Sequence, residues 1–231
     1  MSVLLAHQGL MGAGGDPYQG AVVALLRCDG PDGSKAIVDE TGRAWAAVGA
    51  AELDTSQSKF GGSSLLAAGG YIHTANHPDF YLESGDFTLE FWHRPSVLDS
   101  RKFLCGKGDV GAENVRCFTE ITAARTFRFG TGSAGALVSL TGTTVLSVGQ
   151  WVHLAVTKQG ATWRIFVNGV KEGEVVNSVV LSDWNSPFFL GRVGYYEGLY
   201  AKGHFDEFRA TKGVARYTSN FTPPDAPFPY G

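Results

Sequence analysis

The sequence has no apolar run long enough to cross a membrane as a helix, only two methionines and three cysteines, and no cluster of basic residues. Each scarcity excludes something. With 18% charged residues and a net charge of −3, there is no electrostatic footprint for nucleic acid. An odd cysteine count gives no disulfide framework, and a reducing site of synthesis fits it equally well. Cys28 sits in an apolar run and reads as a small buried hydrophobe. Cys105 and Cys117 fall on successive expected strands, and their redox state stays open. Met1 to Gly15 holds leucines but no basic n-region or continuous apolar core, so no secretory signal is expected. The six histidines show no His-x-x-x-His spacing, and there is no Cys-x-x-Cys, so a zinc site is not expected. No nucleophile elbow and no phosphate-cradling loop is present.

What is abundant is glycine, 31 residues, together with 12% aromatics. That mixture favours many short strands joined by tight turns. Residues 1–20 read as an irregular N-terminal arm, 21–212 as one β-sandwich, and 213–231 as an extended tail with four prolines after Phe221. Strands are expected over Ala21–Cys28, Ala36–Val38, Arg43–Val48, Tyr71–His73, Phe87–Arg94, Lys102–Gly106, Val115–Ile121, Thr126–Phe129, Ala136–Leu140, from Val145 onward, Gln150–Thr157, Thr162–Val167, Val170–Glu172, Phe188–Val193 and Gly203–Ala210. Phe87, Leu89 and Phe91 alternate with Thr88, Glu90 and Trp92, the pattern of a half-buried strand. Asn168-Gly169 between two β-rich runs signals a type I′ hairpin. No helix of two turns is required, although Lys212–Tyr217 suits one short turn. The expected fold class is all-β, a two-sheet antiparallel jelly-roll sandwich.

A string of short motifs recurs in order: Phe60-Gly61-Gly62-Ser63-Ser64-Leu65, Gly85-Asp86-Phe87-Thr88-Leu89-Glu90-Phe91-Trp92, Gly149-Gln150-Trp151-Val152-His153-Leu154-Ala155-Val156, Trp163-Arg164-Ile165-Phe166-Val167-Asn168-Gly169, Phe189-Leu190-Gly191 and Phe205-Asp206-Glu207-Phe208-Arg209. Together they resemble the laminin-G-like, concanavalin-A-like jelly-roll domains, over residues 21–212. The ending Lys212-Gly213-Val214-Ala215-Arg216-Tyr217 with Asn220-Phe221-Thr222-Pro223-Pro224 is similar to copies of this domain in tailed-bacteriophage virion proteins. The resemblance implies a non-enzymatic domain that binds glycans or proteins, sometimes with one structural calcium. It further implies a virion location (tail or capsid decoration) after synthesis in the host cytoplasm. The partners it implies are other virion proteins, a host-surface glycan and copies of itself, a trimer being the guess. A free lectin-like module and an unusual glycoside hydrolase are the alternatives.

Hydrolysis of a glycoside needs two carboxylates placed across the scissile bond. The strand Phe87–Arg94 offers only Glu90, while Glu113 and Glu120 lie on other segments, so no catalytic residues are assigned. Tyr195, Tyr196 and Tyr200, with Trp184 on the preceding loop, present ring faces suited to stacking on a sugar or a protein. Phe205 and Phe208 cannot both face inward without a bulge at Asp206-Glu207, which would re-aim a carboxylate. Asp206, Asp29 and the Gly61 turn are therefore the candidate calcium ligands if the chain ends meet as the resemblance implies, the alternative being that Asp206 caps a turn or pairs with Arg209. His153 reads as a satisfied sheet histidine. Asn220-Phe221-Thr222 fits a glycosylation sequon, taken as incidental.

Overall fold

The computed structural model describes residues 15–82, 85–108, 115–132, 137–179, 185–194 and 198–230, the side chains of 115 and 116 excepted. Among them the chain forms fifteen strands: β1 Val22–Leu26, β2 Ala46–Val48, β3 Ala51–Asp54, β4 Ser64–Ala68, β5 Tyr71–Thr74, β6 Phe87–Pro95, β7 Lys102–Gly108, β8 Val115–Ile121, β9 Phe127–Thr131, β10 Val138–Thr141, β11 Val152–Gln159, β12 Thr162–Val167, β13 Val170–Val176, β14 Phe188–Leu190 and β15 Lys202–Lys212. Single 3-10 turns lie at Gln19–Ala21 and Pro78–Phe80, and no α-helix occurs among the described residues.

The strands build two antiparallel sheets. One runs β13-β12-β11-β6-β15-β4-β3, with β1 also on β15; the other runs β10-β9-β8-β7-β14-β5-β2. β6 lines one edge of β15, while β4 and then β1 share the other. Between those two partners the register of β15 shifts at Asp206–Arg209. This is the bulge that Phe205 and Phe208 demand, and both rings are fully buried.

The core lies between the sheets because the period-2 pattern sends one set of side chains inward from each strand. Phe87, Leu89 and Phe91 face it from β6, and Leu154 and Val156 from β11. Trp163 spans the two layers, stacked at 5.7 Å on Phe129 and edge-on to Phe87 at 6.0 Å. Within the same core Phe80 stacks on Phe188 at 4.5 Å, with Trp45 edge-on to both. The Trp45 indole N–H donates to Asp39 at 2.8 Å, so the ring is buried without an orphaned donor.

Three expected elements differ. Ala36–Val38 forms no strand, because the Asp39 carboxylate takes the Leu25 amide hydrogen bond that a neighbouring strand would take. The stretch from Val145 is a loop before β11; upstream of it, Glu172 of β13 accepts the Thr143 amide at 2.8 Å and the Thr144 amide at 3.1 Å. Lys212–Tyr217 makes no helical turn: β15 continues to Lys212 and an irregular stretch with bends follows. Cys28 is buried, as its apolar run suggests, although its φ is +57°. Cys105 pairs with Thr119 and Cys117 with Lys107, so the register does not set the two sulfurs opposite each other. Both are buried free thiols, and burial pushes Cys105 up to about 12.

The extended C-terminal segment packs on the outer face of the β6–β11–β12 region. Thr157 donates to the Tyr217 carbonyl, Thr88 to that of Val214, and the Phe221 amide to that of Gly169. Asn168 and Gly169 both have positive φ, +48° and +76°, as a type I′ turn requires. A methyl group on Gly169 would lie 2.0 Å from the Phe221 carbonyl oxygen. Gly169→Ala should therefore cost about 1–3 kcal/mol and loosen the segment. Thermal melting and limited proteolysis after Arg216 will report both effects; unchanged cleavage would separate the turn from the docking.

Candidate functional site

The outer face of the first sheet carries a buried cluster of paired charges. Glu90 projects from β6 opposite Arg209 of β15. Arg209 donates from Nε at 2.9 Å and from Nη2 at 2.8 Å to Glu90 Oε1, and from Nη1 at 3.2 Å to Asp16 Oδ2. Arg216 closes on the same Asp16 with two hydrogen bonds, 2.9 and 2.7 Å. The Tyr217 hydroxyl donates to Glu90 Oε2 at 2.8 Å, and the Phe228 ring lies 3.7 Å from the Arg209 guanidinium carbon. Burial works to raise the Glu90 carboxyl, but the Arg209 charge and the neighbouring hydrogen bonds hold it well below the usual carboxylate range. Burial likewise works to raise Asp16, and its hydrogen bonds with Arg216 hold it low. Tyr217 is raised by burial and by the Glu90 charge.

Glu90 is thus ionised, fully buried and covered by the C-terminal segment, with no proton to give and no access to a substrate. Glu120 lies on the opposite outer face, on β8, held by Arg101 and by Arg128 at 3.0 Å. The two carboxylates therefore cannot flank one glycosidic bond. Glu113 lies outside the described residues. His153 sits in the sheet with Nε2 3.3 Å from Glu90 Oε2. Neither ring nitrogen makes a hydrogen bond among the described residues, so the ring is not the satisfied sheet histidine expected from the sequence; its Nε2 meets Glu90 only as a close polar contact.

Asp206, Asp29 and Gly61 meet at the loop before β4. Asp206 Oδ2 accepts from the Lys59 amide at 2.7 Å and the Phe60 amide at 3.2 Å, and Asp29 Oδ1 accepts from the Gly62 amide at 2.9 Å. Asp206 caps this turn, while Arg209 pairs elsewhere. Gly61 has φ +60°, and a Cβ on it would fall 2.0 Å from Asp29 Oδ1, so only glycine lets the loop close over that carboxylate. Glu207, at φ +49° in the bulge, accepts from the Phe228 amide at 2.8 Å. Hard carboxylate oxygens beside a glycine turn suit calcium chemically. Among the described residues no three His, Cys, Asp or Glu side chains converge as a metal set, so an ion here would take further ligands from backbone carbonyls.

Tyr195, Tyr196 and Trp184 lie outside the described residues. Tyr200 is described and half-buried, bridged to Phe103. It belongs to a ring cluster that the sequence reading missed: Tyr71 lies 6.2 Å from Tyr200 and 5.8 Å from Phe189, and His73 lies 6.0 Å from Phe189. The Arg192 guanidinium sits 4.4 Å from the Tyr71 ring centre and 5.0 Å from that of Tyr200. The signal available was the alternation of Tyr71 and His73 around buried Ile72 on β5.

The family model described as the concanavalin A-like lectin/glucanases superfamily matches residues 66–215. The chain belongs to this superfamily. No curated protein matches it. Among solved structures, the binding domain of Paraclostridial Mosquitocidal Protein 1 has a TM-score of 0.67 at 14% identity, covering 86% of this chain and 50% of that one. Domain 4 of an extracellular arabinanase from Geobacillus stearothermophilus, in complex with arabinotriose, has a TM-score of 0.62 at 19% identity, covering 87% and 94%. The binding domain of botulinum neurotoxin serotype C1 has a TM-score of 0.62 at 12% identity, covering 86% and 50%. The chain spans about half the length of the two toxin domains, and at these identities the likeness shows the fold. This superfamily member shares a sandwich with binding domains and with a domain of a glycan-degrading enzyme.

Two predictions arise from the buried charges. Arg209→Met leaves Glu90 and Asp16 without their shared cation and should destabilise the fold by about 3–5 kcal/mol, read by chemical denaturation. The second concerns pH. Burial raises Asp206 to about 8 and Glu207 to about 7, reinforced at Asp206 by the Glu207 charge and at Glu207 by the Asp29 charge. The folded state therefore binds protons that the unfolded chain has released, and stability falls as pH rises through that window. Burial lowers His93 to about 3 and also lowers His204, which opposes this trend only below about pH 6.5. Between about pH 6.5 and 8 the melting temperature should fall, by up to roughly 2 kcal/mol equivalent, and Asp206→Asn should flatten the slope. A flat wild-type profile would refute the assignment.

Proposed function

We propose that the chain is a non-enzymatic recognition domain of a tailed-phage virion, in the tail or as capsid decoration, binding a host-surface glycan or a partner protein. The observation that carries the recognition reading is the ring cluster at Tyr71, Phe189 and Tyr200 with the Arg192 guanidinium set among the rings. Aromatic faces beside a fixed cation offer stacking area and a polar anchor together. The sealing of Glu90 and the separation of Glu120 support the non-enzymatic part. Kinship in fold with toxin binding domains and with an arabinotriose-bound domain agrees with recognition. The virion part rests on the resemblance of residues 212–224 to phage copies of the domain. Tyr195, Tyr196 and Trp184 stay in the reading as ligand-contacting residues on sequence grounds alone, and one structural calcium at Asp206 and Asp29, near Gly61, completes it.

The test is a glycan array probed with wild type beside Tyr71→Ala and Tyr200→Ala. Binding should fall about tenfold or more in each variant; full binding by both would place recognition elsewhere. Native mass should give a homo-oligomer, a trimer on the phage resemblance, and a monomer at every concentration counts against assembly. Calcium should raise the melting temperature at pH 8 in wild type and not in Asp206→Asn. Indifference to chelator removes the ion.

A further inference from the structure

Away from the aromatic face, the end of β5 opens onto a polar groove made of two adjoining recesses of about 420 and 480 Å3, which share Thr41, Arg43 and Asp79. Its floor is the Arg43–Asp79 ion pair. Arg43 is fixed from three sides: Nε donates to the Val23 carbonyl at 3.3 Å, Nη2 donates to Asp79 Oδ2, and the guanidinium lies 5.0 Å from the Phe80 ring centre. The His77 ring lies beside Asp79, its Nδ1 accepting from the Asp79 amide at 3.2 Å and standing 3.0 Å from Oδ2. These contacts use Nε and Nη2 of the arginine and Oδ2 of the carboxylate. Nη1 of Arg43 and Oδ1 of Asp79 have no partner among the described residues. Asn76 lines one recess and the half-buried Tyr230 the other.

We infer that this groove is a second binding site, for a neutral oligosaccharide. The argument is one of complementarity. A rigid donor beside a rigid acceptor, the two charges cancelling, matches adjacent sugar hydroxyls, each of which donates and accepts. A phosphate or carboxylate meets the Asp79 charge, and an amine meets Arg43. An apolar ligand leaves the pair desolvated and unanswered. The Tyr230 ring supplies the flat apolar face that a pyranose or furanose presses against. The recesses are open to solvent, which suits a chain of sugar units passing through and sets the affinity in the millimolar range. The site does not depend on the ring cluster at Tyr71 and Tyr200, so either can fail without the other.

The experiment is an amide-resolved NMR titration of the full chain with xylotriose, arabinotriose and maltotriose, each to about 20 mM, and with inorganic phosphate as the charged control. At least one sugar should shift the amides of Thr41, Arg43, Asn76 and Asp79, phosphate should not, and Asp79→Asn should weaken that sugar about tenfold while Tyr200→Ala leaves it unchanged. Should Asp79→Asn fail to fold, Tyr230→Ala carries the same expectation. Shifts confined to the Tyr71 and Tyr200 region would overturn the groove and leave the aromatic site standing. No shift with any of the three sugars, or equal shifts with phosphate, would also overturn it.

Discussion

The fold depends on one balanced cluster of buried charge. Two carboxylates, Glu90 and Asp16, and two guanidinium groups, Arg209 and Arg216, occupy the outer face of a sheet whose inner face is apolar. Removing such groups from water is expensive, and what makes it tolerable is that each carboxylate meets a guanidinium, with the Tyr217 hydroxyl answering a further lone pair of Glu90. The cluster also explains the chain ends. Residues near Asp16 and residues from Val214 onward lie where they do because the charges need them as cover, and Tyr217 and Phe221, stacked at 3.6 Å, are that cover.

At the bulge of β15 the logic is reversed. Asp206 and Glu207 are buried beside each other, answered mainly by backbone amides from the loops at Lys59, Phe60 and Phe228. Amides supply direction but no full positive charge, so both acids hold their protons more tightly than ordinary carboxylates do. One strand thus carries a fully compensated cluster at Arg209 and an under-compensated pair three and two residues earlier. Both charged groups on this strand are thus turned inward or covered, and the half-buried rings of Tyr71 and Tyr200 lie elsewhere, Tyr71 on the second sheet.

Much of this was legible in the chain itself, wherever the signal was local. β8 and β12 were read residue for residue, because their alternation and flanking turns are clean. The hairpin at Asn168-Gly169 and the bulge at Asp206-Glu207 followed from turn chemistry and from two phenylalanines out of phase. β3 was not read: Ala51-Glu52-Leu53-Asp54 has weak strand composition and is a strand only because β4 pairs with it. Arg192 was invisible for a related reason, since its place over Tyr71 depends on β14 and β5 being neighbours. The pairing of Asp16 with Arg216, 200 positions apart, leaves no trace in any window of the sequence. The groove at Arg43 and Asp79, 36 positions apart, shares that obscurity.

The separation of Asp16 from Arg216 also bears on how the molecule comes into being. On a ribosome, β6 and β11 emerge and can pair long before residues 209 to 228 exist, so Glu90 waits without its cation and with its face open to water. Closure of so distant a contact is slow compared with hairpin formation. The charged face is therefore the last part of the sandwich to mature, and a nascent chain interrupted after β13 holds a partly built sheet with Glu90 still unpaired.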